Sequence, residues 1–553
     1  MAGLATSFGS GAMSNSMKDV AEQAAALLVI GSNTTEQHPV FGTMLRRAVR
    51  TRGAKIVVAD PRKIDLVEIA ALHLRHKPGS DIALLNGLMN IILEKGWEDK
   101  EFIQNRTEGF EEFKAVVEQY TPDKVSDVTG VAVKQLYQAA EILGTSKPAA
   151  VVWAMGITQH ITGVRNVMSL ANLQMLTGNM GVPGGGVNPL RGQNNVQGAC
   201  DMGGLPNVYP AYQPVTLEAA KQKFEAAWGA PMSNKVGLTV TDMMPGAAEG
   251  KVKALYILGE DPLTSDPDLN HVRHCMEACE FVLLQDIFPT ETAAYADVLL
   301  PGVSFVEKSG TFTNTERRIQ LVRKAIEPLG EAREDWRITA ELAQRVLAEG
   351  ARQVEGGTHA GWEYANPAQI LAEINALTPS YAGATPERLE RGETFQWPVK
   401  DATHGGTPVL HVGQFARGLG KFAAIDHVPP AEQPDAEYPL VLTTGRVLYH
   451  YHGGEMSRRA KGLMEIYGQT LVEINPEDAA RLGLDDKQLV RITSRRGWME
   501  GTALVTERVP PGTVFANFHF PGDQNVNMVT NPAFDPVAKI PEYKVCAVKV
   551  EPV

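Results

Sequence analysis

One arginine has the surroundings of a residue that binds a small anion. Arg191 lies in a glycine-rich tract, from Gly178 to Gly204, and is followed by Gln193, Asn194 and Asn195. A guanidinium group is a planar fork of N–H donors that matches a carboxylate in two parallel hydrogen bonds. The tract is also too long and too aperiodic for an ordinary connection. It predicts a site for a small carboxylate, with a loop-stabilising arginine as the equally weighted alternative.

The other reactive side chains form no recognisable catalytic or metal-binding motif. The four cysteines are Cys200, Cys275, Cys279 and Cys546. Four are too few for a disulfide scaffold, and the helical spacing of Cys275 and Cys279 is not accompanied by a third thiol for a zinc or iron–sulfur site. His450 and His452 stand beside tyrosines but lack further ligands. We predict core or surface thiols and a reducing compartment.

Motifs of several common enzyme classes are missing from the sequence. A phosphate-binding loop of the type G-x-x-x-x-G-K-[ST] is absent, and so is a G-x-G-x-x-G fingerprint after the first predicted strand. A G-x-S-x-G elbow is absent as well. These absences disfavour P-loop enzymes, simple NAD-binding dehydrogenases and serine hydrolases.

Apolar runs and helical segments alternate in the first third of the chain. Strands are predicted at Ala26–Ile30, Lys55–Ala59 and Ala149–Ala154, and helices at Val40–Arg52 and Ala83–Glu94. A strand that is apolar at every position is typical of a parallel sheet buried on both faces. A strand, a helix and a second strand of these lengths predict a right-handed βαβ unit.

Two further regions differ in their pattern. Strands at Lys253–Leu258, Phe281–Leu284 and Val298–Leu300 predict a second α/β region. Short strands separated by turns then predict a compact, barrel-like domain. The strands of this domain are predicted at Pro439–Thr443, Thr470–Ile474, Leu489–Thr493 and Thr513–Ala516.

The predicted fold class is α/β, with two doubly wound α/β lobes and a C-terminal β-barrel. The domains are predicted at 1–185, 186–350, 351–433 (a connector with some helix) and 434–553. Ligands of such sheets bind beyond the carboxyl ends of the strands. Any one loop there is more often ordinary turn chemistry, but two regions with several such loops favour a large, nucleotide-bearing ligand between them. The candidate loops are 31–39, 60–62, 79–81, 156–158, 259–262 and 285–288.

The composition is that of an ordinary globular protein. Apolar residues make up 44% and charged residues 21% of 553 residues, and the net charge is −12. A diffuse acidic surface argues against a nucleic-acid partner, which requires clustered Lys and Arg. Because no apolar run approaches the ~20 residues that span a bilayer, we expect no membrane span and a cytoplasmic protein.

The tract around Arg191 also carries a family resemblance. The run GVNPLRGQNNVQGACDMG, from Gly186 to Gly203, resembles formate dehydrogenase catalytic subunits of the molybdopterin oxidoreductase family. The resemblance extends over essentially the whole chain. It is supported by segments at 59–63, 107–111, 259–262, 285–288, 310–318, 444–446 and 541–549.

The resemblance implies a fold, a cofactor and a reaction. Two α/β lobes would enclose a molybdenum or tungsten bis(molybdopterin guanine dinucleotide), capped by a double-psi β-barrel. Formate would be oxidised to carbon dioxide, with Arg191 holding its carboxylate and Gln193 shaping the pocket. Residues expected to bind the cofactor are Gly31, Asn33, His38, Asp60, Arg62, Gly79, Asp81, Gly156, Gly259, Asp261, Gln285, Asp286, Thr444, Arg446, Asn527 and Lys544.

The resemblance also implies partners and a missing segment. Electrons would leave through a [4Fe-4S] cluster to NAD or another acceptor, by way of iron–sulfur, flavin/NAD-binding or hydrogenase-type subunits. Members of the family carry a cysteine-rich cluster domain and a cysteine or selenocysteine metal ligand ahead of a segment like Ala2–Met13. We therefore expect a truncated chain, inactive alone. A selenocysteine codon read as a stop is our hypothesis for its cause.

Two other interpretations remain open from the sequence. The chain could be a sister pterin protein, such as a nitrate reductase-like enzyme or a respiratory-complex subunit. It could also be a non-catalytic scaffold in a larger assembly. The segment from Arg191 to Asn195 favours formate dehydrogenase, whereas nothing in the sequence decides between molybdenum and tungsten.

Overall fold

The computed structural model describes residues 1–351 and 361–553, which divide into two compact units. The first unit consists of Met1–Gly192, Pro262–Arg273 and Val409–Val553, and the second of Gln193–Asp261 and His274–Pro408. The chain thus leaves the first unit and returns to it twice. The finer division into four domains stays a prediction, and residues 352–360 of its connector lie outside the described residues.

A five-stranded parallel sheet forms the centre of the first unit. Its strands lie in the order Leu72–Leu74, Lys55–Ala59, Ala26–Ile30, Ala149–Trp153 and Val187–Pro189. Leu28 and Ile30 enter one hydrophobic core, and Leu27 and Val29 enter another on the opposite face. The predicted parallel sheet, buried on both faces, is confirmed.

Local sequence sets the ends of the helices beside this sheet. The helix Pro39–Arg52 begins with proline, whose fixed φ suits a first helical turn, and ends at Gly53 in the left-handed conformation. The helices of the first unit up to residue 192 are Ala2–Phe8, Met17–Gln23, Thr34–Gln37, Pro39–Arg52, Asp81–Glu94, Lys100–Arg106, Phe110–Val117, Pro122–Thr129, Val133–Thr145, Met155–Thr158 and Gly163–Leu176.

The C-terminal part of the first unit contains a closed barrel, as predicted. Its strands lie in the order Leu440–Gly445, Thr513–Asn517, Leu471–Ile474, Trp498–Val505, Leu489–Thr493 and Cys546–Pro552. Alternate residues of these strands, such as Leu440, Leu442, Val490 and Ile492, form its core. The strands Trp498–Val505 and Cys546–Pro552 were not among the predicted ones.

The second unit has two three-stranded sheets and a two-stranded sheet formed by Val208–Tyr209 and Gln213–Pro214. The predicted parallel strands form one sheet in the order Val298–Pro301, Phe281–Asp286 and Ala254–Leu258. Antiparallel strands form another, in the order Gly310–Thr313, Arg318–Val322 and Phe395–Gln396. The helices of this unit are Val196–Asp201, Glu218–Trp228, Val240–Ala248, Asp335–Ala351, Pro367–Leu377 and Pro386–Glu390.

Two details differ from the sequence prediction. The tract from Gly178 to Gly204 is not irregular throughout, because it contains the strand Val187–Pro189 and the helix Val196–Asp201. Cys275 lies on the helix Leu269–Glu277, which ends before Cys279, so the two thiols do not share a helix face. Within the part of the chain that the structure describes, no helix is long and apolar enough to cross a membrane.

Candidate cofactor cleft

A cleft opens in the first unit at the carboxyl ends of three parallel strands. The loops that follow Ala26–Ile30, Lys55–Ala59 and Ala149–Trp153 line one wall, and residues of the barrel line the other. The cleft holds about 970 Å³ of space, including the part that is open to solvent. It gathers eleven of the residues expected to bind the cofactor, namely Gly31, Asn33, His38, Asp60, Arg62, Gly79, Asp81, Gly156, Thr444, Arg446 and Lys544.

Two glycines bring the backbones of two of these loops into contact. Gly31 has φ +55°, and its carbonyl accepts a hydrogen bond of 3.0 Å from the amide of Gly156. A Cβ on Gly31 would lie 2.7 Å from the carbonyl carbon of Gly156, and one on Gly156 would lie 2.6 Å from the Cα of Gly31. Only glycine fits at both positions, so bare backbone faces the cleft here.

Positive charge gathers on the barrel side of the cleft. The Lys544 ammonium donates to the Thr444 carbonyl at 2.6 Å, and burial together with the nearby Arg446 charge lowers the pKa of Lys544 to about 7. Burial also lowers the pKa of Arg446. Neither cation forms an ion pair with a carboxylate in residues 1–351 or 361–553. Because cations buried without a counter-charge are costly, these two favour an anionic ligand.

Arg62 differs from these two cations because its charge is already neutralised. Its Nε and Nη2 donate to the two carboxylate oxygens of Glu473 at 3.0 and 2.6 Å, and the guanidinium lies 3.5 Å from the Phe515 ring centroid. The pair joins the loop after the strand Lys55–Ala59 to the barrel. We interpret Arg62 as a residue that holds the two walls of the cleft together.

Buried polar atoms without partners line the loop that follows the first strand. They are Ser32 Oγ, Asn33 Oδ1 and Nδ2, Thr34 Oγ1, Thr35 Oγ1 and His38 Nδ1. Each unsatisfied group costs about 1–3 kcal/mol, so six of them in one loop indicate a ligand that supplies their partners. Together with the two cations and the bare backbone, they fit a large, polar, anionic group.

Two predicted carboxylates are occupied by other protein groups. His76 Nε2 lies 3.0 Å from Asp81 Oδ1 in a buried pair. Burial opposes both charges, but their mutual attraction outweighs it, raising the pKa of His76 and lowering that of Asp81. Asp60 accepts the Arg62 amide at 2.9 Å, and burial raises its pKa. No sequence pattern marks His76, which the fold buries beside Asp81.

Further buried titratable groups near Asp81 were missed. His160 also lines the cleft, with Nε2 at 3.9 Å from Asp81 Oδ2 and Nδ1 at 4.0 Å from Glu542 Oε1. Burial and the Glu432 charge raise the pKa of Glu542 to about 7, although the amides of Ile161 and Ala431 donate to it. No motif marks these residues, which come together only in the fold.

The proposed substrate-binding arginine lies beside the cleft. The Arg191 carbonyl is 2.7 Å from His38 Nε2, and its neighbours Leu190 and Gly192 line the cleft. A Cβ on Gly192 would lie 2.5 Å from Arg446 Nη1, so the Arg446 guanidinium lies against this backbone. Gln193, which follows, is the first residue of the second unit and is partly buried.

Five of the sixteen residues expected to bind the cofactor lie outside the cleft lining. Asn527 is buried and donates to the carbonyls of Thr264 and Ser265 at 2.9 and 3.2 Å, which is a structural role. The remaining four belong to the second unit, as does Gln193. They are Gly259, Asp261, Gln285 and Asp286.

These four residues lie at the carboxyl ends of two neighbouring strands. The Gly259 amide donates to the Gln285 carbonyl at 2.9 Å, and Asp261 accepts from the amide and hydroxyl of Thr292. A further carboxylate, Glu260, was missed. Burial and the charges of neighbouring carboxylates, Asp261 among them, raise the pKa of Glu260 and of Asp286. Both carboxylates therefore favour hydrogen-bond donors or cations as partners.

The cysteines make no metal site among the described residues. None of the four forms a disulfide bond, and no group of three or more His, Cys, Asp and Glu side chains in residues 1–351 and 361–553 could hold a metal ion. Burial raises the pKa of Cys546 to about 12.

Comparison with known proteins identifies the sequence families of most of the chain, in both units. Residues 3–345 match the family model described as Molybdopterin oxidoreductase, and residues 440–547 match that of the Molydopterin dinucleotide binding domain. The second match coincides with the barrel that carries Arg446 and Lys544. The two models support a molybdopterin dinucleotide cofactor, which fits the polar and positive character of the cleft.

Curated relatives match along nearly the whole chain. The F420-dependent formate dehydrogenase 1 subunit alpha of Methanococcus maripaludis is 47% identical over 551 residues, covering 99% of this chain and 79% of that protein. Formate dehydrogenase H of Escherichia coli is 41% identical over 561 residues, covering 100% and 76%. Acetylene hydratase from Pelobacter acetylenicus shares the fold, with a TM-score of 0.77 over 100% of this chain and 80% of its own, at 22% identity.

Proposed function

The chain belongs to the molybdopterin oxidoreductase family, and we propose that it is a catalytic subunit that oxidises formate to carbon dioxide. The observation that carries the proposal is the position of Arg191, whose backbone binds His38 at the edge of the cleft. The names of its relatives, both formate dehydrogenases at 41% and 47% identity, support it. The reverse reaction, reduction of carbon dioxide, would use the same residues.

The cleft of the first unit is proposed to hold one end of a molybdenum or tungsten bis(molybdopterin guanine dinucleotide). Arg446 and Lys544 would neutralise its negative charge, and the unpartnered groups of residues 32–35 would bind its polar atoms. Gly31 and Gly156 would let backbone amides approach it closely. When bound, the cofactor accepts the two electrons that leave formate.

The carboxylates of the second unit are proposed to bind a nucleotide base. Asp261, Asp286 and Gln285 present oxygen atoms at the carboxyl ends of their strands, with Gly259 at the turn. Carboxylate oxygens accept hydrogen bonds from the N–H groups of a guanine edge. This assignment would give the second dinucleotide tail its base specificity.

The residues nearest the substrate are proposed to be Arg191 and Gln193. The Arg191 guanidinium would hold the two oxygens of formate and orient its C–H bond, and Gln193 would shape the pocket. In Arg191→Lys, an ammonium group replaces the guanidinium, so one of the two parallel charge-assisted hydrogen bonds to formate is lost. We therefore expect Arg191→Lys to lower kcat/KM for formate about 10- to 100-fold.

Electron transfer is proposed to involve groups held outside the described residues. A [4Fe-4S] cluster would pass electrons to NAD or another acceptor on an iron–sulfur, flavin-binding or hydrogenase-type subunit. The relatives named as alpha subunits support the existence of such partners. The expectations of a truncated chain that is inactive alone, and of a cytoplasmic location, stay predictions.

The proposal is tested by metal and pterin analysis together with formate-dependent dye reduction, on the chain purified with its copurifying subunits. Arg191→Lys is compared with Arg491→Lys, an exposed arginine of the barrel paired with Glu500 at 2.7 Å. Bound metal and formate activity that falls only in the Arg191 variant would support the proposal. Bound metal without formate activity would favour a sister enzyme, and no bound metal would favour a scaffold.

A further inference from the structure

A buried histidine makes hydrogen bonds to two residues of the loop 446–456, which follows the strand Leu440–Gly445 and begins with Arg446. His519, whose side chain is fully buried, follows the strand Thr513–Asn517. Its Nε2 accepts the Val447 amide at 2.9 Å, and its Nδ1 lies 2.5 Å from the His452 carbonyl. An amide only donates and a carbonyl only accepts, so the proton of the neutral ring is on Nδ1. One imidazole thus satisfies a donor and an acceptor of the same loop.

The remainder of this loop is also fixed by protein groups. His450 Nδ1 lies 3.0 Å from the Ser457 hydroxyl, and the same hydroxyl accepts the Tyr451 amide at 3.1 Å. A Cβ on Gly454, which has φ +90°, would lie 2.4 Å from the His519 carbonyl. Backbone and side chain of His519 therefore both contact the loop.

The loop determines where the Arg446 guanidinium lies. Arg446 directly precedes Val447, and its guanidinium lies 5.6 Å from the Phe518 ring centroid. The guanidinium also lies against the backbone of Gly192, next to the proposed formate-binding Arg191. A shift of the Val447 amide would move the base of the Arg446 side chain away from this backbone.

The electrostatic surroundings of His519 keep its ring neutral. Burial lowers its pKa to about 3, the His452 carbonyl opposes this, and the charges of His450, Arg446 and His452 reinforce it. A protonated ring would lose the hydrogen bond from the Val447 amide, because Nε2 would then be a donor. The same pattern of one donor and one acceptor therefore persists over the physiological pH range.

We propose that His519 is a positioning residue, which acts through the Val447 amide to hold Arg446 against Gly192 at the cofactor cleft. It touches neither substrate nor cofactor in this role. The proposal rests on the proposed function only in assigning a cofactor to the cleft. The geometry of the two hydrogen bonds to the ring is independent of that assignment.

The test compares two substitutions of the full chain. His519→Phe keeps a flat ring but removes both hydrogen bonds, whereas His519→Gln retains an amide oxygen that accepts and an amide nitrogen that donates. Hydrogen exchange of the Val447 amide is measured together with the rate at which phenylglyoxal modifies Arg446. Arg62, buried and paired with Glu473, reports general unfolding in the same sample.

We expect His519→Phe to speed both Val447 exchange and Arg446 modification about 10-fold, since one lost hydrogen bond is worth about 1.4 kcal/mol. His519→Gln should restore most of the wild-type rates, and Arg62 should be unchanged in both. Wild-type rates at Val447 or Arg446 in His519→Phe would overturn the proposal, as would equal acceleration at Arg62. Formate oxidation by the wild type, measured separately, tests the proposed function and leaves these outcomes unaffected.

Discussion

Replacing Lys544 with methionine should stabilise the chain free of cofactor while weakening its binding of anions. Each pKa unit corresponds to about 1.4 kcal/mol, so lowering the Lys544 pKa from 10.5 to about 7 corresponds to about 5 kcal/mol for a fully desolvated charge. Part of this side chain reaches solvent through the cleft, which reduces the value. The lost hydrogen bond to the Thr444 carbonyl removes about 1 kcal/mol more. We expect a gain of about 2–3 kcal/mol near pH 7.

The pH dependence of this gain has a definite sign. The folded-state pKa of Lys544 lies below its unfolded value, so the charged side chain destabilises the fold fully below about pH 7, and this cost disappears as the pH rises toward 10.5. The difference between Lys544→Met and wild type in urea unfolding should follow the same course. Affinity for inorganic pyrophosphate, measured by calorimetry, should fall about 10- to 100-fold.

A matched lysine separates this effect from a general change of charge. Lys549 lies on the barrel strand Cys546–Pro552, where it pairs with Thr493, and its partly exposed ammonium is 2.9 Å from a Glu551 carboxylate oxygen. Lys549→Met should change stability by less than about 0.5 kcal/mol. A Lys544→Met chain no more stable than wild type, or a gain that does not shrink at high pH, would refute the reasoning.

Three further predictions concern stability and reactivity. Burial raises the pKa of the Glu542 carboxyl from 4.5 to about 7. The protonated carboxyl is therefore tolerated fully below about pH 4.5, and this stability is lost as the pH rises through 7. In thermal melts, Glu542→Gln should stabilise the chain near pH 8.5 but not near pH 4. Gly31→Ala should lower the free energy of unfolding in urea by at least about 2 kcal/mol, because its Cβ would meet the Gly156 backbone. Gly53 has a similar φ, but a Cβ there would have no atom within 4 Å, so Gly53→Ala should cost clearly less. Equal costs would contradict the steric argument. Cys546, with a pKa of about 12, should react with a disulfide reagent only on unfolding, whereas the partly exposed Cys279 should react in the native chain, as mass spectrometry of the modified peptides would show.

Sequence patterns predicted the parallel strands well and the barrel only in part. Ala26–Ile30 has five consecutive apolar residues, a signal that needs no knowledge of neighbours. Trp498–Val505 was missed because its inward positions are Met499, Gly501 and Ala503, two of them small. With little hydrophobic contrast between its faces, the two-residue period of this strand is weak.

The candidate site shows a similar division. The rule that ligands bind at the carboxyl ends of parallel strands selected the loops that line the cleft. The choice of partner within the fold was not predictable, because Asp81 pairs with His76 and Asn527 donates to Thr264 through contacts that no local pattern encodes. The role of His519 was not predictable either, since it depends on where the loop that carries Arg446 folds back.

The interrupted layout of the first unit has a consequence for biogenesis. Its cleft uses residues from Gly31 near one end of the sequence to Lys544 near the other, with the second unit encoded between them. During translation, the sheet emerges long before the barrel that supplies Arg446 and Lys544. A ribosome-bound nascent chain thus lacks the cationic wall, so we expect insertion of the metal cofactor to be a post-translational event, performed on a released polypeptide.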